Sequence, residues 1–271
     1  MRHALILWPF LVLLSALGAV ADARMSVLVD VLKLNEAAAI LSDEGMAHAQ
    51  SLNEEMLGGQ GGAGWQQQVA GIYDPARMVE MVRAELEEAL DGPAREAVIG
   101  FFDSDLGRRI VTLENEARVA IQDPEIETAA RARFAELEGT DDTRLALIDA
   151  YIESGDMILR NVTSAMNANL QFLRGLAEGD AVDMSDEEIL ESVGADLEAT
   201  TEDTTGWLFG YMLLAYHPLL DGEIEDYIEF SRTDAGQALN RALFTGFGKA
   251  YEDISYALGR AVALNMTAEE L

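Results

Sequence analysis

The chain has 271 residues, with 18 Lys and Arg against 49 Asp and Glu, for a formal net charge of −31 at pH 7. A field of that sign repels nucleic acid and anionic lipid, which excludes nucleic acid as a partner. The chain has no cysteine, and this excludes a disulfide framework, thiol catalysis, thiolate metal sites and the lipid-modified cysteine of a lipoprotein.

In chain order, Arg2 and His3 precede an apolar run from Ala4 to Ala21, followed by small-residue cleavage patterns ending at Ala21 or Ala23. This arrangement reads as a secretory signal peptide over residues 1–23, with Pro9 interrupting the run and arguing against a retained membrane anchor. A soluble periplasmic protein of about 248 residues is expected, with no membrane span after cleavage and the same net charge, because Arg2 and Asp22 leave together. A first helix is expected from about residue 25 to 55, and "GGQGGAG", residues 58–64, reads as a flexible link. Pro75 after Asp74, Pro93 after Gly92 and Pro124 after Asp123 each read as an N-cap followed by proline at the first helical position. Ser185 with Glu188 forms a capping box that opens another helix.

The strongest periodicity runs between Asp141 and Gly179, through Leu145, Ile148, Ile152, Gly155, Leu159, Val162, Met166, Asn169, Leu173 and Leu176. Steps of four and three predict one helix of about ten turns, the central helix of a bundle. "WLFGYMLLAYHPLL", residues 207–220, is too short to span a bilayer and nearly without a polar face, which predicts a helix buried on all sides. From Asp234 to about Met266 a helix lined by Ala235, Leu239, Ala242, Gly246, Ala250, Ile254, Ala257 and Ala261 predicts close approach of helix axes. Alternating strand patterns are lacking. The fold class is therefore all-α, a multi-helix bundle without sheet, in two weakly related halves, residues 24–139 and 140–271, packed as one domain.

The two halves are suggested by "FFDSDLGRRI", residues 101–110, and "FSRTDAGQAL", residues 230–239. At an offset of 129, Glu96, Ile99, Phe101, Asp105 and Gly107 match Glu225, Ile228, Phe230, Asp234 and Gly236, and Ser104 faces Thr233. Every match suits one structural role: an aromatic anchors the end of a short helix, Ser or Thr caps the next, and Asp favours its dipole. Glycine inside a helix is unfavourable, so Gly107 and Gly236 imply close contact with an aromatic or a neighbouring backbone. An anion site using Arg108 and Arg109 is the rival reading, weakened because the second copy has Gln237 and Ala238 there.

The aromatic pair, Ser cap and glycine of "FFDSDLG" resemble the bacterial exported family called domain of unknown function 2059, in which the stretch reads like "FYxSPxGxK". Here Asp105 stands where that family places proline, and the lysine is missing. The resemblance extends to "GWQQQVAGIYDPARM", residues 64–78, and "LENEARVAI", residues 113–121, and is expected to cover most of the mature chain. It implies a periplasmic all-helical protein and carries no established activity or catalytic residues.

Chemistry is sparse. His48 and His217 have no sequence neighbour at metal spacing, His217 before Pro218 reads as a helix-end cap, and no calcium loop, phosphate loop or serine elbow is present, so neither metal nor cofactor is expected. Carboxylates are the only possible catalysts, and Glu114 is the most interesting of them, although Arg118 four residues on suggests an ion pair along the helix. Trp65, Tyr73, Trp207, Tyr211 and Tyr216 read as core, with the alternative that Trp65, Glu114, Arg118, Trp207 and Tyr211 line a ligand groove. The expected function is a non-enzymatic binding module for an envelope protein or a small hydrophobic ligand, with a carboxylate-dependent cell-wall hydrolase as the alternative.

Overall fold

The structure is a computed structural model that describes residues 22–269; the expected signal peptide lies outside the described residues apart from its last two positions. Residues 22–31 are helical, and twelve helices follow: α1 (Leu34–Met56), α2 (Gly62–Ile72), α3 (Pro75–Ala89), α4 (Gly92–Phe102), α5 (Asp105–Ala120), α6 (Pro124–Leu137), α7 (Thr143–Ser154), α8 (Met157–Glu178), α9 (Asp186–Ala195), α10 (Leu197–Ala215), α11 (Asp221–Ser231) and α12 (Asp234–Glu269). Among the described residues there is no strand, so the protein is all-α.

Helix starts follow their caps. Asp74 and Asp123 accept from Ala76 N and Glu125 N, while Ser185 and Glu188 close the capping box. At α4 the cap is Asp91 rather than Gly92, its carboxylate accepting from Ala94 N, and Pro93 therefore falls one position deeper in the first turn. Glycines at 58, 59 and 62 take positive φ, but the segment is shorter than a seven-residue link: α2 begins at Gly62, and Asn53 Oδ1 accepts from Gly61 N at 2.9 Å.

Two expected long helices are broken. The first is interrupted at Leu32–Lys33, where Lys33 takes a left-handed φ of 49°. The ten-turn helix divides at Gly155 and Asp156, with Asp156 at φ 51°, into α7 and α8. Asn240 Nδ2 and Arg160 Nε donate to the Gly155 carbonyl at 2.8 Å and 3.0 Å, which satisfies an acceptor that the broken ladder leaves open. The apolar seam is interrupted at the junction, where Leu159 is 68% exposed, and resumes along α8 with Val162 and Leu176 buried.

The central helix is instead α12, of 36 residues, packed most extensively against α8 and then α3. Glycine permits the crossing with α8: a Cβ on Gly175 would lie 2.9 Å from Arg260 N, and one on Gly259 would overlap the Phe172 carbonyl. The apolar stripe of α12 serves two cores. Ala235, Leu239 and Ala242 join Met25, Leu28, Ile148 and Tyr216 in one, whereas Ala250, Ile254 and Ala261 join Trp65, Val69 and Leu176 in the other. The segment Leu208–Tyr216 is buried or half-buried throughout, and the helix stops at Ala215 before the exposed His217 and Pro218.

The two similar corners share one hydrogen-bond pattern. Ser104 Oγ donates to the Phe101 carbonyl at 2.6 Å and accepts from Gly107 N at 3.1 Å; Thr233 Oγ donates to the Phe230 carbonyl at 2.7 Å and accepts from Gly236 N at 3.0 Å. Asp105 and Asp234 begin the following helices, and Phe101 stacks on Phe230 with centroids 4.0 Å apart. A Cβ on Gly107 would overlap the Phe101 carbonyl, and one on Gly236 the Phe230 carbonyl, so each glycine admits the backbone of the preceding helix. Arg108 pairs with Asp103 and Arg109 with Glu223, which engages both guanidinium groups of the anion-site reading.

Gly107→Ala and Gly236→Ala should each lower unfolding free energy by about 1–3 kcal/mol through overpacking. Gly100→Ala, where an added Cβ meets open space, should raise it by roughly 0.5–1 kcal/mol. Urea unfolding of the three variants checks the contrast.

Candidate functional site

An inner cavity of about 210 Å³ forms where both helix breaks and both corners meet. Leu32 and Leu34 flank the Lys33 break, Gly155 and Met157 flank Asp156, Phe102 comes from the first corner, and Phe230 and Gly236 come from the second. Backbone held in sparsely populated conformations recurs at binding sites.

Glu114 and Asn115 of α5 line this cavity, and Tyr151 of α7 and Tyr227 of α11 form part of its wall. Tyr216, fully buried, donates to Glu114 Oε1 at 2.5 Å, and Tyr227 donates to the same oxygen at 3.4 Å. Tyr151 donates in turn to the Tyr227 hydroxyl at 2.8 Å, and Tyr211 donates to the Glu114 backbone carbonyl at 3.0 Å. Both of these side-chain hydrogen bonds fall on Oε1.

Burial dominates the electrostatics. It pushes the Glu114 carboxyl from its ordinary 4.5 up to about 7, against the opposing pull of the Tyr216 and Tyr227 hydroxyls. The phenols of Tyr151, Tyr216 and Tyr227 are pushed up by burial and then by the nearby Glu114 charge, so they remain protonated donors.

The expected Glu114–Arg118 ion pair does not form. Arg118 reaches Glu44 of α1 instead, with Nε and Nη2 each 2.6 Å from a carboxylate oxygen, and its guanidinium lies 4.9 Å from the Trp207 ring centroid. Trp207 stacks on Tyr211 at 5.0 Å. Four of the five candidate groove residues, Glu114, Arg118, Trp207 and Tyr211, thus lie in one connected cluster. Trp65 does not join them: it is 2% exposed in the second core, donating to the Ala49 carbonyl at 3.3 Å.

A larger groove of about 630 Å³ lies beside the cavity, lined by Leu41, Glu44 and His48 of α1, by Tyr73, by Asn161, Ser164 and Ala168 of α8, and by Phe244, Gly248 and Tyr251 of α12. Leu243 and Phe247 line both spaces. Nothing in the local sequence marks Asn115, Tyr151 or Tyr227, since the chamber is assembled by helices distant in the chain; of the expected groove residues, Arg118 lines the larger groove. Among the described residues no group of three or more His, Asp or Glu is placed to hold a metal ion, and no helix is long and apolar enough to cross a membrane.

The arrangement defines a helical protein with an inner chamber that contains one buried carboxyl and shares Leu243 and Phe247 with a neighbouring groove. Residues 76–136 match the model of a family described as "Uncharacterized protein conserved in bacteria (DUF2059)". The match takes in the first corner, Glu114 and Asn115 and leaves out residues 64–75, and so is narrower than the expected coverage of most of the chain. No curated protein and no solved structure matches the chain.

Glu114→Gln keeps an acceptor for Tyr216 and removes the titration. Because the folded carboxyl holds its proton more tightly than the unfolded one, its ionisation penalises the fold progressively from about pH 4.5 and fully above about pH 7. The substitution should therefore stabilise by about 1–3 kcal/mol at pH 8 and by far less at pH 5. Urea titrations at the two pH values measure this, and an equal effect at both would show an unshifted carboxyl.

Proposed function

We propose that this is an exported, periplasmic binding module that takes a small, largely hydrophobic ligand in the groove between α1, α8 and α12. The observation that carries the reading is the combination of a groove of about 630 Å³ walled by Leu41, Tyr73, Phe244, Phe247 and Ile254 with the smaller polar-ended chamber behind Leu243 and Phe247. Apolar concavities with few polar groups are the usual form of small-molecule sites. The cleavage patterns at Ala21 and Ala23 and the run before them support export. The shared geometry of the two corners supports descent from two related halves.

A second reading, a carboxylate-dependent cell-wall hydrolase, is favoured by one observation: the raised pKa of Glu114, suited to general acid catalysis near neutrality. The chamber argues against it, because Glu114 is the only acid among its lining residues and the paired carboxylates of most glycosidases are lacking there.

An uncharged apolar fluorophore, N-phenyl-1-naphthylamine, should bind the purified protein saturably, and Ala168→Trp, which fills the groove, should weaken binding at least tenfold without lowering the melting temperature. Clearing of purified cell wall in a zymogram, lost in Glu114→Gln, would decide for the hydrolase.

A further inference from the structure

The polar lining of the inner chamber is almost entirely spent on the protein itself. Gln237 Nε2 donates to the Ser154 and Ser231 carbonyls, both at 2.7 Å, and Asn240 Nδ2 donates to the Gly155 carbonyl at 2.8 Å. Ser154 and Ser231 hydroxyls donate to the carbonyls of Tyr151 and Tyr227. Asn115 differs: it is 8% exposed, lines the chamber, and its Nδ2 has no hydrogen-bond partner. A buried amide donor without a partner is costly, and in a chamber wall an acceptor entering the chamber would relieve that cost. Glu114, the preceding residue, lines the same chamber and brings a carboxyl acceptor to it. The lining contains no Lys, Arg or His to neutralise an anion.

We propose that the inner chamber binds the uncharged carboxamide head of an aliphatic ligand, its carbonyl accepting from Asn115 Nδ2 and its N–H donating to the Glu114 carboxyl, with the aliphatic tail passing Leu243 and Phe247 into the groove. This rests on the ligand-binding reading of the groove and adds the chemistry of the head. A primary or secondary amide carries the acceptor and the donor together and brings no charge into a space that has no counter-cation. An ionised carboxylate of the same length meets the Glu114 carboxyl instead. An ammonium satisfies Glu114 and leaves the Asn115 donor without an acceptor. A site built around buried polar groups discriminates strongly against analogues that leave one of them unpaired.

The test uses octanamide, octanoate and octylamine as probes, measured by calorimetry on the full mature protein at pH 8, where the Glu114 carboxyl is ionised. Octanamide is expected to bind at least tenfold more tightly than either charged analogue. Asn115→Leu should weaken octanamide at least tenfold while leaving the melting temperature of the unliganded protein unchanged or raised, an outcome that loss of a structural hydrogen bond does not produce. N-phenyl-1-naphthylamine binding should persist in that variant, because its site is the groove. Equal or tighter binding of octylamine or octanoate overturns the proposal, as does octanamide binding unaffected by Asn115→Leu. If octanamide fails to bind while the fluorophore binds, the head chemistry falls and the groove reading stands; if neither binds, both fall.

Discussion

Close approach of α12 to its neighbours is the constraint on which the rest of the molecule depends. One 36-residue helix must contact α8, α3 and α4 along its length, and only small side chains let it do so. Gly246 sits against Val82, where an added Cβ would come within 2.6 Å of the Val82 Cα, and Gly259 admits the Phe172 carbonyl. Dispersion falls off steeply with separation, so a gap along these crossings would forfeit much of the contact energy. The two cores share the same helix, and the groove is lined by residues of both: Leu243, Phe244 and Phe247, half-buried against the first core, and Ile254 of the second.

Much of this was legible in the sequence. The caps at Asp74, Asp123 and Ser185 carry local information, because a side chain satisfies an amide two or three residues away. The alanine and glycine stripe of α12 likewise announces close packing through its own spacing. The breaks at Lys33 and Asp156 were not legible: neither residue type favours the left-handed conformation as glycine does, and tertiary hydrogen bonds to Gly155 from Asn240 and Arg160 help hold the second break in place. Periodicity therefore ran straight across a junction that only the folded neighbours create.

The same division explains the site. Glu114 stood out from its place near an apolar seam, but its surroundings did not, because an adjacent Arg118 offers a local explanation that a distant Glu44 overrides. The tyrosines that hold it come from α7, the end of α10 and α11, more than thirty residues away in each case. An acid whose ordinary range is near 4.5 is moved close to neutrality by nothing more than exclusion of water, and three phenols kept protonated by the same exclusion supply the local hydrogen-bond network.

The chamber draws its walls from Leu32 at one extreme of the chain and Phe247 at the other. For a polypeptide emerging amino end first, no part of this hollow exists until the last helix has been delivered and docked, since non-local contacts must wait for loop closure. Until that moment the greasy face around Met25 and Leu28 lacks the Ala235 to Ala242 surface that completes its core. The hollow is thus completed only when α12 docks, and a chain lacking that helix would forfeit the chamber before it forfeited its early helices.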